Sequence, residues 1–259
     1  MKRRRWLGLA SAFCAGRVFV GGEESVPSER RVVSWNLHHG AGLDGKIDLK
    51  RIADVLGSLK PDLVALQEVD QKCRRSGGLD EAGFLAQALG LHGFFAKAMD
   101  FDGGAYGTAL LSRSKPDSTK TIALPPAGGE SRAAALASFG TGASALHFVS
   151  VHLDHQKEER RRTQAEALLA ALPKEGTILV AGDFNCGPEE ASKLLPGFTL
   201  AGTKEAPAFS FPADKPDILI DHFLLRTAAG RKSGLTEFRI EAEAMASDHR
   251  PISARWRLQ

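Results

Sequence analysis

The stretch that decides the fold reads TILVAGDFNCGP and covers residues 177–188. Its aliphatic run, residues 178–180, is typical of a buried strand. The run leads into Asp183, and Asn185 follows two residues later. Because strand side chains alternate with a period of two, we expect these two polar groups to share a face. A strand that ends in a carboxylate and an amide indicates a functional edge of a sheet.

Strands and helices follow one another on both sides of this stretch. The spacing of apolar residues predicts helices over 48–59, 80–89 and 157–171, with a short helix from about Pro188. Predicted strands cover 31–37, 62–68, 106–112, 145–153, 177–184, 217–225, 235–244 and 251–258. Long strand pairs without a strict βαβ rhythm predict mixed sheets packed face to face, with helices outside.

Several other predicted strands carry polar side chains that core packing does not require. A charged group in an apolar strand is costly unless it is paired or bound to metal. One such residue could belong to an isolated salt bridge, but a set spread over six strands is better explained by a shared site. Its members besides Asp183 and Asn185 are Asn36, Glu68, Tyr106, His152, Asp221, Asp248 and His249.

The residue types in this set indicate a chemistry. Oxygen ligands without cysteine favour Mg²⁺ or Mn²⁺ over zinc. A histidine beside an aspartate can hold or move a proton near neutral pH. An asparagine and a second histidine can donate to a phosphoryl oxygen as charge develops on it. Together they describe the attack of water on a phosphate ester.

The order of these residues resembles the endonuclease/exonuclease/phosphatase superfamily over roughly residues 31–258. The resemblance implies a four-layer α/β sandwich, in which two mixed sheets pack face to face with helices outside. It also implies a metal-dependent hydrolase of phosphate esters. The matching elements, in chain order, are Asn36, Glu68, Tyr106, His152, GDFN (182–185), IDH (220–222) and SDH (247–249).

The metal ligands that the resemblance implies are Asn36 and Glu68, with Asp248 as a further metal ligand. Whether one or two ions of Mg²⁺ or Mn²⁺ bind stays open. A zinc site built from His152 and His155 is disfavoured, since positions i and i+3 of an extended strand point to opposite faces.

The resemblance also implies roles in the reaction itself. Asp183 orients and activates the attacking water, while Asn185 and His152 contact the scissile phosphate. Asp221 pairs with His249, which acts in acid–base or electrostatic catalysis.

Tyr106 would lie against the phosphate. Many members of the superfamily have asparagine two residues after this tyrosine, where this chain has Thr108, so the substrate contacts at that position stay open. The loop over 74–78, which contains two arginines, could reach a second anionic group of a substrate.

The charge of the chain argues against a protein that holds long nucleic acid mainly through its phosphates. The chain has 34 Lys and Arg residues against 31 Asp and Glu. Five basic and two acidic residues lie in 1–24, so the rest of the chain is balanced and lacks the expected basic excess. No apolar run reaches the roughly 18–20 residues of a membrane-spanning helix, and we expect no transmembrane span.

The N-terminal segment, 1–28, is expected to be separate from the domain at 29–259. Its basic start and short apolar stretch are typical of an export signal, and a disordered basic tail is the alternative. In the first case the protein is exported, in the second it is cytoplasmic. Three cysteines, Cys14, Cys73 and Cys186, are too few and too scattered for a disulfide framework or a zinc cluster.

The expected partner is a phosphate-ester substrate, and we expect a monomer. A nucleic acid, a phospholipid head group and a small phosphorylated metabolite all stay open as substrates. The alternative from another functional class is a non-catalytic binding module that retains the same fold.

Overall fold

The computed structural model describes residues 29–201 and 209–258, and within these ranges twelve strands and four α-helices form. The predicted N-terminal segment lies outside the described residues. The helices are α1 (Leu49–Leu59), α2 (Glu81–Leu89), α3 (Glu158–Ala171) and α4 (Pro188–Leu194). None of these helices has the length and apolar character needed to cross a membrane. The strands are β1 (Glu29–Asn36), β2 (Leu63–Gln71), β3 (His92–Phe101), β4 (Gly104–Ser112), β5 (Ser118–Leu124), β6 (Arg132–Phe139), β7 (Leu146–His152), β8 (Thr177–Asp183), β9 (Thr199–Leu200), β10 (Asp221–Arg226), β11 (Ser233–Ile240) and β12 (Ile252–Leu258).

The strands form two mixed six-stranded sheets. The first has the order β11-β12-β1-β2-β4-β3, and the second has the order β5-β6-β7-β8-β10-β9. In each sheet one central pair is parallel, β1 with β2 and β7 with β8, and the other pairs are antiparallel.

Three apolar clusters arrange these elements in four layers. The central cluster lies between the two sheets and includes Phe148, Phe223 and Trp256. A second cluster packs α1 and α2 on the first sheet around Trp35, and a third packs α3 and α4 on the second sheet around Phe184. Each sheet is therefore buried on both faces, which explains its near-continuous apolar strands. The predicted sandwich of two mixed sheets with helices outside is confirmed.

The parallel pairs bring several polar strand ends to one edge of the sandwich. The carboxyl ends of β7 and β8 lie side by side, with His152 opposite Asp183 in the register. The antiparallel strand β10 begins at the same edge, with Asp221 also opposite Asp183. Asn36 ends β1 in the other sheet, and its Nδ2 lies 3.1 Å from Asp183 Oδ2. The ends of both sheets therefore converge at one place.

A short polar seam joins the two sheets beneath this edge. Gln67 Nε2 donates to Ser150 Oγ at 2.9 Å, and Ser150 Oγ donates to the Leu66 carbonyl at 2.9 Å. Both side chains are fully buried. A buried polar pair that is satisfied in one arrangement fixes the relative position of the sheets.

Four strands, β3, β5, β6 and the two-residue β9, were not predicted. The sequence of β6, RAAALASF, is rich in alanine, which has a low strand propensity. Ala135 and Ala137 nevertheless face the central cluster beside Phe148, where small side chains allow the sheets to approach closely. Tertiary packing therefore overrides local propensity here.

Two predicted strands differ from the observed ones by four residues at one end. The strand predicted over 217–225 begins only at Asp221, because Ile218 pairs instead with Phe211 in a separate bridge. The strand predicted over 235–244 spans Ser233–Ile240, and a bulge interrupts its pairing with β12 after Thr236.

Candidate active site

A cavity of about 340 Å³ opens at the edge where the strand ends converge. Its walls come from both sheets and from the loops that precede β10 and β12. Seven of the nine predicted site residues line it, and the two that do not, Asn36 and Asp221, bond directly to residues that do. The lining residues are Glu68, Arg75, Met99, Phe101, Tyr106, Glu130, Arg132, His152, His155, Asp183, Asn185, Phe211, Asp248 and His249.

His249 lies between the two facing aspartates. Its Nδ1 is 2.9 Å from Asp221 Oδ2, and its Nε2 is 3.7 Å from Asp183 Oδ2. Ser210 Oγ donates to the same Asp221 oxygen at 2.6 Å. Trp35 Nε1 donates to the backbone carbonyl of His249 at 2.8 Å, which fixes the loop that carries the imidazole. The predicted pairing of Asp221 with His249 is present in the structure.

Burial and mutual charge shift the proton equilibria of this group. Burial, opposed by the charge of His249 and reinforced by the charge of Asp221, raises the pKa of Asp183 to about 7. Burial alone would lower the pKa of His249, but the carboxylates of Asp221 and Asp183 outweigh it and raise that pKa. His249 therefore carries a positive charge at neutral pH, and Asp183 is poised to take up a proton there.

Asn36 joins two carboxylates across the sheets. Its Nδ2 donates to Glu68 Oε1 and to Asp183 Oδ2, both at 3.1 Å, while its Oδ1 accepts from the His38 backbone N–H at 3.0 Å. Carboxylates only accept hydrogen bonds when ionised, so these partners determine which end of the amide is nitrogen. In this arrangement Asn36 orients the two carboxylates, and its role as a metal ligand stays a prediction.

Glu68 and Asp248 have the properties of ligands for a hard cation. Glu68 sits at a bulge in β2 with φ of 55°, a conformation that turns its side chain out of the regular ladder toward the cavity. Within the described residues, no Lys or Arg forms an ion pair with either carboxylate. The nearest basic group to Asp248 is the His38 imidazole, with Nδ1 4.0 Å from Oδ1. Two carboxylates that face a cavity without a Lys or Arg partner fit Mg²⁺ or Mn²⁺.

A second group could also hold a cation. One ligand atom each from Asp183, Asp221 and His249 lie within 4.8 Å of one another, and all three residues are buried. However, His249 and Asp221 already bond to each other through Nδ1 and Oδ2. We therefore interpret this cluster as a proton-handling group, because a cation there would have to break that bond.

Asn185 reaches the cavity by a different route from the predicted one. β8 ends at Asp183, and Asn185 has φ of 52°, so the alternation of an extended strand does not apply. Its backbone N–H donates to Asp183 Oδ1 at 2.8 Å, and its Nδ2 donates to the Leu153 carbonyl at 3.0 Å. The second hydrogen on Nδ2 is left for a ligand in the cavity.

His152 and His155 do not point to opposite faces, contrary to the prediction for positions i and i+3 of a strand. The strand ends at His152, and both histidines line the same cavity. His152 Nε2 lies 3.4 Å from Asp183 Oδ2. Burial and the charge of Arg132 lower the pKa of His152 well below its usual value, so this imidazole is neutral.

Thr108 does not take the place of the asparagine common in the superfamily. Its side chain is buried, and its Oγ1 donates to the Ala133 carbonyl of the other sheet at 3.3 Å. Thr108 is not among the residues that line the cavity. It joins the sheets instead.

Several cavity residues were missed from the sequence, above all Arg132 and its neighbour Glu130. A signal existed, since Arg132 is the only charged residue in the alanine-rich run 132–139, but that run was not predicted as a strand. Of the arginine loop, Arg75 lines the cavity while Arg74 pairs with Asp102 at 2.8 Å. Arg75 binds buried Asp70 through two hydrogen bonds of 2.8 Å.

The cysteines that the structure describes take no part in the site chemistry. Cys73 and Cys186 are buried and unbonded to each other. Burial raises the pKa of Cys73 to about 11 and that of Cys186 to about 12, so both are protonated thiols at neutral pH.

Comparison with known proteins identifies the family. The family model described as "Endonuclease/Exonuclease/phosphatase family" matches residues 33–249. The chain belongs to this family. Endonucleases, exonucleases and phosphatases all cleave phosphate esters, so membership in the endonuclease/exonuclease/phosphatase family supports metal-dependent hydrolysis of such esters as the general class of reaction. Among curated proteins no sequence matches this chain.

Solved structures of the endonuclease/exonuclease/phosphatase family share the fold. A member from Beutenbergia cavernae is 21% identical with a TM-score of 0.71, covering 90% of this chain and 72% of its own. One from Bacteroides vulgatus is 20% identical with a TM-score of 0.71, and the match covers 90% of this chain and 100% of the Bacteroides vulgatus chain. D. rerio TDP2, complexed with a single-strand DNA product, is 19% identical with a TM-score of 0.68, and the match covers 89% of this chain and 99% of the TDP2 chain.

Proposed function

We propose that this protein hydrolyses phosphate esters with a divalent cation, Mg²⁺ or Mn²⁺, and a water molecule activated by Asp183. The observation that carries the proposal is the environment of one buried oxygen. Asp183 Oδ2 lies 3.1 Å from Asn36 Nδ2 and 3.7 Å from His249 Nε2. His152 Nε2 lies 3.4 Å from the same oxygen. Groups from three distant parts of the chain thus surround a carboxylate that faces a cavity.

Glu68 and Asp248 would hold the cation. Glu68 is oriented by its hydrogen bond from Asn36, and the Asp248 carboxylate lies on the loop that also carries His249. When bound, the cation would polarise a phosphoryl oxygen and offset its negative charge. Within the described residues, neither carboxylate forms an ion pair with Lys or Arg, and His38 Nδ1 lies 4.0 Å from Asp248 Oδ1.

Asp183 would accept a proton from the attacking water as the bond between the water oxygen and phosphorus forms. The bond between phosphorus and the leaving-group oxygen then breaks. His249 donates Nδ1–H to Asp221, so its Nε2–H is the donor left for the cavity. Because this imidazole is charged, it would stabilise the negative charge that develops on phosphate.

Asn185 and His152 would position the phosphate from the other side. Asn185 retains one amide hydrogen after its bond to the Leu153 carbonyl. His152 is neutral, so it would serve as a hydrogen-bond donor or acceptor and not as a general acid.

A turnover assay tests the proposal. We expect Mn²⁺-dependent hydrolysis of bis-p-nitrophenyl phosphate that EDTA abolishes. Asp183→Asn and His249→Ala should each lower kcat/KM by at least ~100-fold, the usual scale for a positioned acid or base. Asp54→Asn, a change at an exposed carboxylate of α1, is the matched control and should leave the rate unchanged. Full activity in Asp183→Asn would remove this residue from its role.

The alternative, a binding module without turnover, predicts a different result in the same assay. Neither the wild type nor Asp183→Asn would then show metal-dependent hydrolysis, although both would be folded. The presence of every acid and base in the site argues against that alternative.

The proposal extends to the class of phosphate ester that serves as substrate. A nuclease or phosphodiesterase activity draws support from D. rerio TDP2, whose structure holds a single-strand DNA product. The balanced charge of residues 25–259 favours a short or small ester over long duplex DNA. Parallel assays on single-stranded DNA, abasic duplex, RNA, sphingomyelin and sugar phosphates with Mn²⁺ would rank these classes.

A further inference from the structure

Arg132 is a charged residue in a place where packing alone would not put one. It begins β6 and is followed by five buried residues of small or aliphatic type. Only 5% of its surface is exposed, and it lines the cavity that contains Asp183. Burying a guanidinium is costly unless an anion compensates its charge.

Among the residues that the structure describes, the protein compensates this charge with one ion pair, to Glu130, that includes no hydrogen bond. Arg132 Nε is buried without a hydrogen-bond partner within the described residues. The nearest carboxylate oxygen, Glu130 Oε1, lies 3.4 Å from Nε without forming a hydrogen bond, and it too is buried without a partner. Arg75, in the same cavity, provides the contrast, because two bonds of 2.8 Å join it to buried Asp70.

The other contacts of Arg132 are with two predicted phosphate-binding residues. Its Nη1 lies 3.4 Å from the Tyr106 hydroxyl and 2.6 and 3.2 Å from the two ring nitrogens of His152. A group that is close to both ring nitrogens lies against the face of the imidazole, not in line with one lone pair. Arg132 therefore gains no in-line acceptor from His152.

We propose that Arg132 binds a non-bridging oxygen of the substrate phosphate, beside His152 and Tyr106. This inference rests on the proposed function, which places the phosphate in the same cavity. The guanidinium is fixed in position, and its one ion pair within the described residues, with Glu130, includes no hydrogen bond. It can therefore form a charge-assisted bond to phosphate. The protein would thus bind the phosphate with a fixed positive charge of its own, in the same cavity as Glu68 and Asp248.

The test measures equilibrium binding of inorganic phosphate, by ³¹P NMR titration in Mn²⁺-free buffer, so that it does not depend on turnover. We expect Arg132→Met to raise the Kd of phosphate by roughly 10- to 100-fold, the usual worth of a hydrogen bond to a charged group. Arg132→Lys, which retains the charge without the planar fork, should fall between the wild type and Arg132→Met. Arg113→Met, at the opposite end of β4 and more than half exposed, is the control and should bind phosphate like the wild type.

The outcomes separate this inference from the proposed function. A folded Arg132→Met that binds phosphate within about twofold of the wild type would overturn it, as would a wild type without saturable phosphate binding. If Arg132→Met fails to fold, Arg132→Gln takes its place in the same titration. Weaker phosphate binding in the variant, together with a wild type that hydrolyses no ester, would support Arg132 and contradict only the proposed hydrolysis.

Discussion

Asp221 faces Asp183 directly across the antiparallel pair of β10 and β8, and His249 bridges the two carboxylates. The register alone would bring two buried negative charges together, which is unfavourable. The imidazolium between them offsets both charges. The pairing of β10 with β8 thus places the two carboxylates that favour the charged form of His249. Removing one of these carboxylates tests this dependence.

Asp221→Asn should lower kcat/KM for bis-p-nitrophenyl phosphate by about 100-fold, because His249 loses the carboxylate that orients it and favours its charged form. The pKa of His249 should fall, since Asp221 is the largest of the groups that raise it. Histidine ring NMR shifts against pH would measure the change. An unchanged pKa with reduced activity would mean that Asp221 acts only through geometry.

Glu68→Gln should weaken Mn²⁺ binding by at least about 10-fold, because a neutral amide replaces a carboxylate ligand. Isothermal titration calorimetry with Mn²⁺ measures this without turnover. Glu166→Gln, a change at an exposed carboxylate of α3, is the control and should bind Mn²⁺ like the wild type. Equal affinity in Glu68→Gln and the control would place the cation elsewhere, with Asp183, Asp221 and His249 as the next candidate group.

Glu81 should make the stability of the fold depend on pH. Burial raises the pKa of this carboxyl from 4.5 to about 8, and one of its oxygens lacks a hydrogen-bond partner within the described residues. Between these two values the unfolded chain loses the proton while the folded chain keeps it. The free energy of unfolding should therefore fall as pH rises from 4.5 to 8, by up to about 1.4 kcal/mol per pH unit from this group.

Glu81→Gln removes this titration, so the variant should lose less stability than the wild type between pH 5 and 8. Urea unfolding at several pH values gives the comparison. Glu159→Gln, a change at an exposed carboxylate of α3, should keep the pH slope of the wild type. Parallel slopes in Glu81→Gln and the wild type would show that Glu81 is ionised in the folded protein.

Much of the site was predictable because its residues end strands that carry strong local signals. The aliphatic run before Asp183 identified β8, and the polar residues in the other predicted strands identified the candidate set. Their residue types indicated phosphate-ester chemistry before any contact was known.

The exceptions arose where backbone conformation or packing departs from the local pattern. Asn185 and Glu68 both have positive φ, so strand alternation could not predict the direction of their side chains. Arg132 was missed because an alanine-rich run has no strand signature of its own.

Local sequence patterns were sufficient to predict the strongly patterned helices and strands and the chemistry of the polar groups at their ends, because both depend on residues close together in the chain. Which of these groups come into contact depends on how distant strands pair and pack. The hydrogen bonds from Asn36 to Asp183 and from Trp35 to His249 join residues 147 and 214 positions apart. Such contacts arise from the pairing of strands and the stacking of two sheets, so no local pattern contains them. That arrangement determines which groups accept hydrogen bonds from the Asn36 amide. It also determines the charge of His249 and the position of Arg132 in the cavity wall.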